Sequence, residues 1–188
     1  MTDKKLPNKI FTSLDLELNQ NPNGEKIIQV GAVVGDISTG EILERLSVFI
    51  NPNETLEPFI IKLTKITQEQ VDNGVTLEEA YNQLKSMHKR HKSFVNFIQW
   101  GHGDSQALLK QLKKENQNFE GWCGGRRDID VKTLYVSWRL ANESFPTGGL
   151  SRAMSNVKLQ FKGQAHNALW DSENTFNMFR RMLELYKK

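Results

Sequence analysis

The spacing of the apolar residues changes once along this chain, and that change governs what it can fold into. Up to Ile50 the apolar side chains fall in short runs bounded by turn-forming residues. The first, Lys9 to Leu18, ends in the breaker-rich stretch Asn19-Gln20-Asn21-Pro22-Asn23-Gly24. The second, Lys26 to Asp36, carries Val30, Ala32, Val33 and Val34, and Ser38-Thr39-Gly40 turns the chain into a third, Glu41 to Ile50. Three strands with such short connections predict an antiparallel meander. After Asn51-Pro52-Asn53 the apolar residues recur at helical spacing.

Pro58 opens a short helix, Phe59 to Lys65, and Thr67-Gln68-Glu69-Gln70 caps a second that stops at Asn73-Gly74. Thr76 with Glu79 three residues on is a capping box for a helix to about Arg90. Ser93 to Trp100 is a compact apolar strand with a central place in the sheet, and Asp104 to Lys114 is a helix with Ala107, Leu108, Leu109 and Leu112 inward. Asp128 or Asp130 caps a helix through Leu140; Gly148-Gly149 starts another, Leu150 to Asn156; the last runs from about Asn167 to Lys187. Strands first, then helices interspersed with strands, predict an α/β domain with a mixed sheet flanked by helices. No repeat or long linker divides the 188 residues, so a single domain over 1–188 is expected, with its core at about 9–187.

Composition narrows the function classes. No segment approaches the roughly 18 apolar residues of a membrane span, and the N-terminal MTDKKLPNK has no apolar stretch of signal-peptide kind. The lone Cys123 cannot form an intrachain disulfide, which with the other features predicts a cytoplasmic protein. The net charge is only +3, yet cations gather at Lys89-Arg90-His91-Lys92, at Lys110 with Lys113 and Lys114, at Arg126-Arg127, at Arg180-Arg181 and at Lys187-Lys188. Each cluster alone fits a solvated helix face or end; together they suit a polyanionic ligand. There is no phosphate-cradling Gly-x-x-x-x-Gly-Lys loop and no Cys/His zinc spacing.

Three places carry candidate chemistry. Asp15 and Glu17 are two apart in a strand, so they share a face about 6–7 Å apart, while Leu14, Leu16 and Leu18 point the other way. The pair fits a metal site, or an edge strand with its polar side in water. Asp104 stands just past the carboxyl end of the apolar strand, where ligands bind in α/β sheets and where aspartate also caps helices. His166 and Asp171 share a broad helix face only if His166 sits at or before the first turn.

In that order, FTSLDLELN, WGHGD and AHNALWDSENT resemble the three exonuclease motifs of the DEDDh superfamily. Its members include the proofreading subunit of bacterial replicative polymerase, RNase T and oligoribonuclease. PFIIKLTKITQEQVDNG is similar to the stretch that precedes the second motif there, and WGxxD is most like the branch that trims RNA 3′ ends and its bacterial relatives. The resemblance implies an RNase H-like five-stranded sheet. It implies a metal-dependent 3′–5′ exonuclease acting on single-stranded nucleic acid, with RNA favoured over DNA. It further implies Asp15, Glu17, Asp104 and Asp171 as ligands of two divalent ions, Mg²⁺ or Mn²⁺, and His166 as general base. Leu18 and Asn19 replace the threonine and glycine often found after the first-motif glutamate, where relatives contact the terminal nucleotide through the backbone.

Elementary chemistry accounts for these residue types. Hard dications prefer oxygen ligands, four carboxylates in one cleft repel each other without them, and histidine side chains titrate near neutral pH. Two alternatives stay open. One is a catalytically silent nuclease-fold module that binds nucleic acid; the other is a metal enzyme acting on small phosphate esters. Phe145 and Trp122 are loop candidates for base stacking, with buried packing as the other reading of each.

Overall fold

The computed structural model describes residues 8–22, 24–145 and 148–187; the N-terminal run before Asn8 and the terminal Lys188 lie outside them. Strands β1 (Ile10–Asn21), β2 (Gly24–Asp36) and β3 (Ile42–Phe49) form the expected antiparallel meander. Helices α1 (Pro58–Thr64), α2 (Gln68–Asp72) and α3 (Leu77–Arg90) follow. Thr67 and Thr76 each close a full capping box, with Gln70 and Glu79 respectively, satisfying amide groups that the helix leaves unpaired. Then come β4 (Ile98–Gln99), α4 (Asp104–Glu115), β5 (Ile129–Asp130), α5 (Val131–Ala141), α6 (Leu150–Asn156) and α7 (Ala168–Leu185). The sheet order is β3-β2-β1-β4-β5, with β4 parallel to β1 and β5 parallel to β4. This is the mixed five-stranded sheet flanked by helices of the RNase H-like class.

Helices cover both faces. Leu14, Leu16 and Ala32 pack with Ala80, Tyr81, Leu84 and Leu108 of α3 and α4. On the other side Phe11 and Val33 pack with Tyr135, Met154, Phe176 and Met182 of α5, α6 and α7. Ile28 joins a separate cluster with Leu56, Ile60, Ile66 and Val71.

Several expected boundaries shift. β1 runs through the expected break because the Asn19 side chain, fully buried, bonds to Glu54, to the Thr55 carbonyl and to the Glu57 amide. The Ser93–Trp100 strand shrinks to Ile98–Gln99, although Val95 and Phe97 still accept from the Gly125 and Ile129 amides. Ile129–Asp130, read as the start of a helix, is the fifth strand, and Asp130 rather than Asp128 caps α5. Several basic clusters are partly structural: Arg90 and His91 bond Glu44, Arg180 bonds the Ile37 carbonyl and Arg181 bonds the Val157 carbonyl. Among the described residues no helix is long and apolar enough to cross a membrane.

Candidate active site

The site begins on β1. The strand lies in the middle of the sheet, which removes the edge-strand reading of Asp15 and Glu17. Alternation sends Leu14 and Leu16 into the α3–α4 core and the two acids to the face covered by α7. Beside Glu17 the β1–β2 register slips: Glu17 pairs with Gln29 and Leu18 with Ile27, so Ile28 is an extra residue on β2. Bulges of this kind re-aim side chains next to functional sites.

The N-terminus of α7 comes down onto β2 opposite Asp15. Gly31 is Asp15's partner across the ladder, and a Cβ on it would stand 2.0 Å from the Ala168 carbonyl carbon and 2.2 Å from the Leu169 nitrogen. Only glycine permits this approach, and Gln29 secures it by accepting the Ala168 amide at 3.1 Å. Gly31→Ala should therefore lower stability by roughly 3 kcal/mol, read as a lower urea midpoint, because the obstruction is backbone and cannot rotate away. Neither Gly31 nor Gln29 is singled out by the motifs; an isolated glycine inside a strand pattern was the available signal.

His166 precedes α7, two residues before its first helical residue, which meets the condition set by its spacing from Asp171. Its φ is +59°, a left-handed conformation uncommon for a residue with a side chain. Asp171 holds it there by accepting the His166 amide at 2.9 Å, and Asn167 caps the helix. The preceding loop is tied down by the buried Asn174, which both accepts from and donates to the Lys162 backbone, and by Gln164 bonding the Thr64 carbonyl. Strain concentrated at a candidate reactive residue and over-determined by its surroundings is characteristic of functional sites.

Asp104 enters from the carboxyl end of β4. Gly103, at φ +123°, occupies the N-cap position, so Asp104 is the first residue of α4 and not its cap. Its amide donates to Gln99 Oε1 at 3.2 Å, and the next residue, Ser105, donates through its hydroxyl to Asp128. Asp128 is thus a fifth carboxylate beside the site, and nothing in the sequence distinguishes it from an ordinary capping residue.

The electrostatics join these pieces. Burial pushes the Asp15 carboxyl well above its ordinary range, and the charges of Asp104, Asp171 and Glu17 push it further. Glu17 rises to about 8, from burial and then from Asp171 and Asp104. Asp104 rises to about 7 through burial and the charge of Asp128. Asp171 is raised by burial, partly opposed by its bonds to His166 and Asn167. Glu17, His166 and Asp171 each offer a ligand atom, and the three atoms lie within 4.8 Å of one another. Asp15, Glu17, His166 and Asp171 line one cleft. Carboxylates that resist ionising together are the donor set a hard dication would relieve.

Other candidates fall elsewhere. The Asn19 side chain is fully engaged with the loop before α1, and Leu18 is partly buried against the α3–α4 core. Trp122 stacks on Tyr81 at 5.5 Å within the core margin, whereas Phe145 is 84% exposed, contrary to the packing reading. Phe145 follows Ser144, whose amide closes the end of α5, and its carbonyl accepts from Arg139. Burial raises the Cys123 thiol, which disfavours its thiolate form.

The exonuclease family model RNase_T matches residues 12–179. The ERI1 exoribonuclease 2 of Xenopus laevis is 30% identical over 186 residues, covering 85% of this chain and 26% of that protein. The 3′–5′ exonuclease DinG of Bacillus subtilis is 45% identical over 176 residues, covering 93% of this chain and 18% of that one. The chain thus spans about a quarter or less of the length of these curated relatives. Among solved structures, the nuclease domain of 3′hExo, a DEDDh family member bound to rAMP, superposes with a TM-score of 0.79 at 19% identity, covering 96% of this chain and 94% of that one. The chain belongs to this exonuclease family.

Proposed function

We propose that this protein removes nucleotides one at a time from the 3′ end of single-stranded nucleic acid, RNA in preference to DNA, by metal-assisted hydrolysis. The observation that carries this reading is the mutual electrostatic strain of Asp15, Glu17, Asp104 and Asp171, four acids from three separate parts of the chain. Such a set is costly unless dications neutralise it. In this reading the four acids would hold two divalent ions, Mg²⁺ or Mn²⁺. When bound, the ions would supply charge stabilisation to the attacking and leaving oxygens of an in-line displacement.

This chain's own residues supply the rest. His166 stands exposed at the cleft, next to Glu17 and Asp171, where its imidazole takes a proton from the attacking water. The water oxygen bonds to phosphorus as the bond to the 3′ oxygen breaks, and that oxygen takes up a proton from solvent. The products are a nucleoside 5′-monophosphate and a strand one residue shorter with a free 3′ hydroxyl. Asp171 holds the His166 backbone, and the glycine approach at Gly31 sets the height of both above β1. Contact between the terminal nucleotide and Leu18 or Asn19 would run through the backbone, since the Asn19 side chain is committed to its neighbours.

The preference for RNA draws support from the exoribonuclease relative and from the rAMP held by the 3′hExo nuclease domain. We further propose that residues 1–188 act as one exonuclease domain, with its core at about 9–187, and that the protein works in the cytoplasm, in keeping with its single cysteine. A time course on 3′-labelled and 5′-labelled RNA and DNA strands tests polarity and sugar preference together. The 3′ label should leave as mononucleotide at the first time point while 5′-labelled strands shorten as a ladder, faster for RNA, and chelation should abolish both. Binding of the strand with no shortening under Mg²⁺ or Mn²⁺ would instead favour a silent module.

A further inference from the structure

The cleft that holds Asp15, Glu17, His166 and Asp171 extends past them. It has a volume of about 830 Å³, and its opposite wall is α6 with the glycines before it, including Gly148, Gly149, Ser151, Arg152 and Ser155. Arg152 is the one lysine or arginine among the described residues lining it. Arg45, Arg90, Arg180 and Arg181 are each bonded to a carboxylate or a carbonyl; Arg152 is exposed and has no hydrogen bond or ion pair with any described residue.

The local backbone makes room for this side chain. Gly148 has φ +82°, and a Cβ on it would lie 2.9 Å from both Cβ and Cδ of Arg152. Glycine therefore leaves the space that the aliphatic stem of Arg152 occupies beside the loop, and Arg152 lines the cleft. A guanidinium presents a planar fork of donors matched to phosphate oxygens, and the hydroxyls of Ser151 and Ser155 on the same wall add weaker ones.

One end of the cleft is acidic and suited to metal and a reacting phosphate; the other carries hydroxyls and a cation with no partner among the described residues. A strand whose 3′ end lies at the acids must place its next phosphates somewhere, and bare carboxylates would repel them. We propose that the α6 wall is a subsite for the phosphodiesters on the 5′ side of the scissile bond, with Arg152 as their ionic contact. This rests on the exonuclease reading and deepens it: strand length beyond the terminal nucleotide strengthens binding through this wall.

The test compares ribo-oligomers of two and five nucleotides in Mg²⁺, for the wild type, R152Q and R152K. Wild-type kcat/KM should be higher on the pentamer, and R152Q should lower the pentamer-to-dimer ratio about tenfold, through KM. R152K, which keeps the charge and loses the fork, should fall between. The dependence of log(1/KM) on log salt concentration should lose about 0.7 of slope in R152Q on the pentamer, as expected for one phosphate contact on a single strand. An unchanged length ratio and salt slope, or equal losses on both lengths, would overturn the subsite while leaving the exonuclease reading intact. A wild type inert on both lengths would overturn that reading, and the subsite with it.

Discussion

Replacing His166 by alanine should lower turnover on a labelled single strand by about 10²–10⁴-fold, the span expected when a positioned general base is removed. The variant should fold normally. What Asp171 holds is the His166 amide, which alanine retains, and the side chain itself is exposed. Histidine takes the left-handed φ of +59° more readily than alanine, so a small loss of stability is expected, while the Asp171 bond to the amide still holds the loop. Mn²⁺ affinity, measured by calorimetry, should be nearly that of the wild type. That last readout matters because Glu17, His166 and Asp171 are close enough to hold an ion between them. If His166 were a ligand, His166→Ala would lose metal affinity and turnover in parallel, and the general-base role would fall.

Asp15→Asn should abolish strand shortening and weaken metal binding, and at the same time make the metal-free protein more stable at alkaline pH. The sign follows from linkage. Asp15, Glu17 and Asp104 have carboxyls raised above their unfolded values, Glu17 to about 8 and Asp104 to about 7. Between the ordinary carboxylate range and those values the folded state binds more protons than the unfolded one, so metal-free stability falls as pH rises through that window. In EDTA the wild type should melt lower at pH 8 than at pH 5 by roughly 5–10 °C, at about 2–4 °C per kcal/mol for a chain of this size. Mg²⁺ or Mn²⁺ should reverse most of that loss. Asn at position 15 keeps the shape and removes one charge from the cluster, so its EDTA melts should depend less on pH and respond less to metal. A wild type whose melting in EDTA is higher at pH 8 than at pH 5 would show that the acids do not strain one another.

The residues that do chemistry in this reading were legible because their environments are local. An acid pair two apart in an apolar strand, an aspartate at a strand's carboxyl end and a histidine just before a helix can each be placed from a few neighbours; Asp15, Glu17, His166 and Asp171 line one cleft, and the charge of Asp104 reaches Asp15 and Glu17. What positions them is long-range and was not legible. The 2.0 Å exclusion at Gly31 depends on a helix far along the chain, and the support of Asp104's neighbourhood by Gln99 and Asp128 depends on two short parallel strands lying side by side. The same holds for β1, which persists to Asn21 because the polar side chain of Asn19 finds its partners in the loop before α1. Helix caps show the contrast within one element type. Thr67 and Thr76 follow the local rule, while at α4 the cap is Gly103 and leaves the Asp104 carboxylate to the site.

Crystals soaked in Mn²⁺ with a non-hydrolysable 3′-terminal dinucleotide, read by anomalous scattering, address the two-ion site most directly. Two peaks about 3.5–4 Å apart among Asp15, Glu17, Asp104 and Asp171, with His166 off both ions and facing the scissile phosphate, are expected. A single peak ligated by His166, or density bound away from these acids, would contradict the mechanism.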